Sequence, residues 1–273
     1  MRKVTAVFLA FLGLPILSFA WGPEGHRVVA DLARERLNPT ALRQIRELLG
    51  NDNLAAISTW ADEIRHQRPE TSGWHFVDIP WNADGFSEGR DCYRRDSHRP
   101  SSQQDHHNCV VDRIEFFQHL LADSHASTAQ REEALKFLVH LVADLHQPLH
   151  AIAEARGGNQ IHIVEFGHRE CGRRPCNLHY VWDIELIEHS GRSESDYVAY
   201  LNRFLAQNHW QGKRDGGPEA WANQSFHLAK QVWLNEAGSV DEAYYGKNIG
   251  VVDMQLARAG LRLATMLNQT LGR

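Results

Sequence analysis

The sequence predicts an all-α fold, a mainly helical single domain with a short β-hairpin and long disulfide-stapled loops. Apolar residues recur every three or four positions in three long stretches, strand-type alternation is nearly absent, and four cysteines sit in polar segments. At 273 residues, 42% hydrophobic and 23% charged, the chain is long enough to bury one sizeable core. That composition excludes disordered and collagen-like chains. Lys+Arg 29 against Asp+Glu 34 gives a formal charge of −5, so binding a nucleic acid through a basic overall field is excluded and any such partner needs a local site.

Residues 1–20 read as a signal peptide and residues 21–273 as the mature domain. Arg2 and Lys3 precede an apolar run from Val4 to Phe19 that closes on Ser18-Phe19-Ala20, a small-x-small cleavage pattern. The alternative, an uncleaved anchor, meets a run shorter than the roughly 20 residues that span a bilayer and interrupted by Pro15. No other segment is apolar enough to span. Cleavage removes Arg2 and Lys3, taking the charge from −5 to −7, and leaves Trp21 as the first residue of a secreted or periplasmic protein. Export places Cys92, Cys109, Cys171 and Cys176 in an oxidising compartment. Their positions suggest two local staples, Cys92 with Cys109 and Cys171 with Cys176; zinc-knuckle ligand spacing is missing.

Asn38-Pro39, then Leu42, Ile45, Leu48 and Leu49, then Gly50, supplies a cap, a first-turn proline, an apolar face and a stop. Ser127 and Gln130 form a capping-box pattern ahead of Leu135, Leu138, Val142 and Leu145, and Pro148 ends that helix. Phe137, Val139 and Leu141 make it apolar on nearly every side, which predicts burial. Val252, Leu256, Ala259, Leu263 and Leu267 repeat the helical period near the C-terminus. The best strand candidate is His162 to Phe166, a short hairpin or edge strand. Residues 82–109 read as a long surface loop, and Gly212 to Gly217 as a turn.

Seventeen histidines are a surplus, and neutral imidazole is the commonest metal ligand near pH 7. In the buried helix His140 and Asp144 are four apart, so they share a face, and a carboxylate in that apolar setting demands a cation. His150 follows Pro148, where a turn can swing it toward the same region. His179 and Asp183 repeat the spacing. One such pair is equally well an ion pair; two pairs with His150 favour a metal cluster. Asp62 in Trp60-Ala-Asp62 and His75 in Trp74-His75-Phe76 add ligands beside water-excluding aromatics. Trp21, freed by cleavage, can chelate through its α-amine and carbonyl, with His26 as a further ligand. These nine residues offer enough donors for about three zinc ions at three or four ligands each.

Six ordered motifs carry a resemblance: Trp21-Gly-x-x-Gly-His26, Trp60-Ala-Asp62, Trp74-His75-Phe76-x-Asp78, His140-x-x-x-Asp144-x-x-Gln-Pro-Leu-His150, Gly157-Gly-Asn159 and Asn177-Leu-His-x-x-Trp-Asp183. Together they resemble the trinuclear-zinc single-strand nucleases, the S1/P1 family within the phospholipase C/nuclease superfamily, and among them a secreted member of bacterial type. The resemblance implies a compact helical fold and three zinc ions. Asp62, His75, His140 and Asp144 would hold the first; Trp21, His26 and the bridging Asp144 the second; His150, His179 and Asp183 the third. It implies single-stranded DNA and RNA and nucleotides as partners, 5′-phosphorylated products, possible 3′-nucleotidase activity and no obligate protein partner. Arg65 falls where the family grips the scissile phosphate, beside the catalytic Asp144; holding a carboxylate ligand is its alternative role. Phe76 and Asp78 match a base pocket, and Asn159 and Asn177 either touch substrate or serve as turn and capping residues.

Two positions depart from the family. Arg156 stands where fungal members close the base pocket with an apolar residue, and Gln224 where relatives often carry an acidic one. A zinc phospholipase C shares the ligand plan but usually ends it in glutamate rather than Asp183. A non-enzymatic zinc scavenger would instead carry flexible His-rich tracts.

Overall fold

The computed structural model describes residues 21–92, 108–172, 174–208, 216–235 and 237–272. The expected signal segment 1–20, the stretch 93–107 of the expected surface loop and residues 212–215 of the expected turn lie outside the described residues. Helix α1 (Pro23–Arg34) starts with a proline whose missing N–H costs no helical bond there. Helix α2 (Pro39–Leu49) follows the sequence signals: Asn38 Oδ1 accepts from the Ala41 amide at 2.8 Å, and Gly50 leaves the helix at φ 63°. A single turn, α3 (Trp60–Glu63), runs into 3-10 turns at Ile64–His66 and Pro69–His75, which carry the chain from Asp62 to His75. Then come α4 (Glu88–Asp91) and α5 (Val110–Ala122).

Helix α6 (Thr128–Leu145) is the axis of the molecule. Both halves of its capping box form between Ser127 and Gln130, an arrangement worth about 1 kcal/mol. Every residue from Phe137 to His150 is buried, through the end of α6 and the 3-10 turn Pro148–Ala151. Helix α5 packs along α6, and the Phe117 and Phe137 rings stack at 4.4 Å. Trp60 meets Phe137 edge-on at 5.3 Å, and Trp74 leans on both phenylalanines. This wedge braces the segments bearing Asp62 and His75.

The expected strand forms as β1 (Val164–Glu165), and Glu165 and His168 exchange two 2.7 Å backbone bonds around a tight turn at Phe166-Gly167. Both turn residues have positive φ, which matches the twist a two-residue hairpin needs. What sequence periodicity could not supply is a parallel partner for β1, the distant β4 (Ser239–Val240). A second hairpin, β2 (Glu170–Cys171) with β3 (Arg174–Pro175), lies inside the Cys171–Cys176 disulfide. Cys92 pairs with Cys109, so both staples are local as expected.

Helix α7 (Leu178–Tyr180), a π-helical turn (Val181–Glu185) and α8 (Leu186–Glu188) make one continuous segment. Helices α9 (Glu194–Gln207), α10 (Pro218–Val232) and α11 (Glu242–Leu271) complete the fold. Helix α11 buries the periodic residues Val252, Leu256, Ala259, Leu263 and Leu267 and packs along α1. Asp253 of α11 accepts from the Tyr197 and Tyr200 hydroxyls of α9 at 2.8 and 2.9 Å. Among the described residues no helix is long and apolar enough to cross a membrane.

The α1–α11 approach depends on Gly260: a β-carbon there would sit 2.7 Å from Leu32 Cβ and 3.3 Å from the Val29 carbonyl. Gly260→Ala is therefore expected to destabilise the protein by about 1–3 kcal/mol, read as a lower urea midpoint with unchanged slope.

Candidate metal centre and cleft

Three elements converge on the C-terminal half of α6. His140 and Asp144 point from one face of that helix, Asp62 comes from α3, His75 from the end of the Pro69–His75 turn, and His26 from α1. All five side chains are buried. Asp144 Oδ2 lies 2.9 Å from His75 Nδ1 and 3.3 Å from His140 Nε2, while Asp144 Oδ1 faces His26 Nε2 at 3.3 Å. Asp62 lies 3.6 Å from both His75 Nδ1 and His140 Nε2. Asp144 thus presents one oxygen to each of two histidine groups.

His150, His179 and Asp183 form a second group. His179 Nε2 is 3.2 Å from His150 Nε2 and 3.4 Å from Asp183 Oδ2. The π-helical turn lengthens the spacing between turns yet keeps His179 and Asp183 together. Trp21 is fully buried, and the next residue, Gly22, donates its amide to the Asp183 carbonyl at 2.5 Å, which anchors the chain's Trp21–Gly22 segment to this element.

The donor set fits metal ions. Asp62 Oδ2, Asp144 Oδ1, both ring nitrogens of His26 and His75 Nε2 are buried without hydrogen-bond partners, a costly state in any protein that nothing cationic occupies. The opposite ring nitrogens are held from behind: His140 Nδ1 donates to the Ser58 carbonyl at 2.7 Å, His150 Nδ1 to the His75 carbonyl at 2.8 Å and His179 Nδ1 to the Gly157 carbonyl at 2.6 Å. Each bond fixes the tautomer that leaves Nε2 free to ligate.

Electrostatics separates the two groups. Burial opposes the charged form of His140, but the Asp144 and Asp62 carboxylates outweigh it and raise its pKa to about 9. Burial would lift Asp144, yet the His140 charge and the nearby His26 and His75 rings hold it well below the usual carboxylate value. The first group is therefore anionic enough to keep a proton as a stand-in cation. The second group lacks that charge. Burial lowers His150 to about 3 and His179 to about 4, and it pushes Asp183 well above the ordinary value despite a hydrogen bond from Gln147.

A cleft of about 320 Å³ opens over His75, His150 and His179, and Arg65, Phe76, Asp78, Arg156 and Asn159 line it. Arg65 Nη1 donates to Asp62 Oδ1 at 3.1 Å, with the guanidinium side chain 13% exposed, so it belongs both to the carboxylate and to the cleft. Backbone bonds from Val77 to the His150 carbonyl and from Val110 to the Phe76 carbonyl pin the Phe76–Asp78 wall. Ala155, Arg156, Gly157 and Gly158 all have positive φ. A β-carbon at Gly157 would lie 2.5 Å from the Leu149 carbonyl, so only glycine lets this turn close behind His179. Asn159 Nδ2 closes the same turn onto the Arg156 carbonyl at 2.9 Å. Asn177 does not line the cleft; its Oδ1 accepts from the Tyr180 amide at 2.8 Å and caps α7.

Sequence reasoning passed over Gln147. It donates to Asp183 Oδ1 at 2.5 Å and accepts from the Leu149 amide at 2.6 Å, tying the second group to the Pro148 turn. Its place in the His140–His150 stretch was the only available signal. Also unforeseen is the network at the end of α6. His146 donates through Nδ1 to the Val142 carbonyl, and its Nε2 accepts from Arg262, both at 2.7 Å. Gln224 accepts from the same guanidinium at 2.6 Å, which gives that departure from the family a structural role.

Replacing Gln147 by alanine should weaken metal binding about 10- to 100-fold without unfolding the protein, measured by competition with a chromophoric chelator. The histidine contribution to the metal-free protein's stability should fall on both sides of pH 6.5. His150 and His179 have folded values of about 3 and about 4, below the ordinary 6.5, so their contribution is full above 6.5 and lost as pH falls toward 3. His140, raised from 6.5 to about 9, contributes fully below 6.5 and loses its contribution as pH rises through 9. Urea midpoints of chelated protein across that range check both limbs.

The S1/P1 Nuclease family model matches residues 21–272. Among curated relatives, Nuclease P1 of Penicillium citrinum is 30% identical over 285 residues, covering 92% of this chain and 98% of that protein. Endonuclease 2 of Arabidopsis thaliana is 28% identical, covering 92% and 91%, and Nuclease S1 of Aspergillus oryzae is 25% identical, covering 98% of each. With nearly the whole described chain matched and its buried His/Asp groups gathered beside one cleft, this protein belongs to the S1/P1 nuclease family.

Proposed function

We propose that residues 21–273, released from a signal peptide at residues 1–20, are a secreted or periplasmic S1/P1 nuclease of bacterial type. It hydrolyses phosphodiester bonds of single-stranded DNA and RNA to 5′-phosphorylated products, with 3′-nucleotidase activity at the same site. The carrying observation is the juxtaposition of the two buried His/Asp groups with a cleft walled by Arg65, Phe76 and Asp78. Two disulfides suit the oxidising destination.

The proposed occupants are three zinc ions. Asp62, His75, His140 and Asp144 hold one; His26, Asp144 and the Trp21 α-amine and carbonyl hold another; His150, His179 and Asp183 hold the third. When bound, zinc supplies an acidified water as nucleophile and positive charge for the departing oxygen. The chain's residues do the rest. Arg65 spreads its planar fork over the phosphate as negative charge grows, and its bond to Asp62 keeps it aimed. Phe76 stacks on a base and Asp78 accepts from the base edge, which requires a base outside a duplex and explains single-strand preference without a basic surface. Arg156, which also lines the cleft on the Ala155–Gly158 turn, offers a second planar face to that base. Asn159 shapes this turn, and Asn177 acts through the helix carrying His179.

The test is hydrolysis of single-stranded DNA, RNA, duplex DNA and a phosphatidylcholine dispersion by protein starting at Trp21, with and without chelator. Chelator-sensitive cleavage of single strands is expected; cleavage of lipid alone would overturn the base-pocket reading. Arg65→Ala should lower kcat about 10²- to 10³-fold while zinc content, measured by mass spectrometry, stays unchanged. Loss of zinc in that variant would make Arg65 a support for Asp62 instead.

A further inference from the structure

Beyond the cleft, the wall that carries Phe76 and Asp78 continues into an aromatic surface. Ala153, which lines the cleft, donates its amide to the Ile79 carbonyl at 3.0 Å, and the chain then reaches Trp81. Trp81 is 39% exposed and, with Phe116, is one of two exposed large apolar side chains among the described residues. Its ring meets Trp233 edge-on at 5.5 Å. Lys230 Nζ lies 4.3 Å from the Phe226 ring centroid and 5.8 Å from that of Trp81. The platform is preorganised: Lys230 Nζ reaches the Ala83 carbonyl at 3.5 Å, the Phe86 amide donates to Asn223 Oδ1 at 2.7 Å, and the Ala83 amide donates to the Pro80 carbonyl at 2.9 Å. Three contacts thus tie the Pro80–Phe86 loop to itself and to α10.

An exposed indole beside an ammonium is the pairing that binds single-stranded nucleic acid, the ring stacking on a base and the cation meeting its phosphate. Trp81 lies three positions beyond Asp78, so their Cα atoms are at most about 11 Å apart. We propose that Trp81, Trp233 and Lys230 form a second nucleotide subsite, which stacks a base of the single strand leaving the Phe76–Asp78 cleft. The proposal rests on the nuclease reading above and extends it from one bound base to a strand path. It makes affinity grow with substrate length although the chain is acidic overall.

The experiment compares wild type, Trp81→Ala, Trp81→Phe and Lys230→Gln, fully zinc-loaded, on a dinucleotide and on a single strand of about twelve nucleotides. Binding of a cleavage-resistant phosphorothioate version of the longer strand is followed by fluorescence anisotropy. For Trp81→Ala, KM and Kd for the longer strand should rise between about fivefold and about a hundredfold, the effect of losing one stacked base. Its kcat/KM on the dinucleotide should change less than twofold. Trp81→Phe should recover most of the loss, and Lys230→Gln should flatten the salt dependence of binding. Equal losses on both substrates, or no loss on the longer one, would overturn the subsite. A wild type that cuts neither strand but binds the longer one through Trp81 would overturn the nuclease reading and leave the subsite standing.

Discussion

A carboxylate with no exposed surface, Asp144, governs the arrangement of this protein. Left alone at the buried C-terminal end of α6, it would cost more than a domain of this size can spare. The fold surrounds it with imidazole nitrogens from two other elements, His26 from α1 and His75 from a 3-10 turn, and from His140 one helical turn away on α6 itself. Their convergence leaves several buried polar atoms unpartnered, and a cation resolves them together. The same constraint explains why the C-terminal half of α6 is both buried and rich in candidate ligands.

Holding such a group rigid takes a layer of bonds whose acceptors are mostly backbone carbonyls. Ser58, His75 and Gly157 each accept from the rear nitrogen of a histidine, so the loops that precede and follow α6 determine where the front nitrogens point. The left-handed run Ala155–Gly158 places unfavourable backbone geometry beside the site, and the gain is the Gly157 carbonyl aimed at His179. Behind α6, the Leu145 and His146 carbonyls accept from Ser225 and Gln255. Helices α10 and α11 thereby satisfy the end of α6 and fix the direction in which the Pro148 turn departs toward His150.

The two His/Asp groups are electrostatically unlike. In the first, two carboxylates raise the pKa of His140 to about 9; in the second, burial lowers His150 and His179 and pushes the Asp183 carboxyl above its ordinary value. A divalent cation among His150, His179 and Asp183 would meet a single carboxylate and leave a net positive centre beside the cleft. A centre of that sign suits a phosphate-bearing ligand, and Arg65 adds to it from the side of the first group.

Local rules made much of this readable from the sequence. Helix α2 obeys its Asn38 cap and Gly50 stop, α6 its capping box and proline, and the i, i+4 pairs His140–Asp144 and His179–Asp183 share a face because helical geometry is local, even through a π turn. The cysteine staples followed from short spacing. Only the tertiary structure decided the rest, since long-range packing leaves no periodic trace. His146 and His150 look alike in the sequence, yet α11 claims the first through Arg262 and the cleft receives the second. Asn177 resolves into a helix cap, Gln147 into a brace for Asp183, and Trp81 meets a tryptophan 152 positions away. Such pairings depend on which surfaces meet once the core has closed.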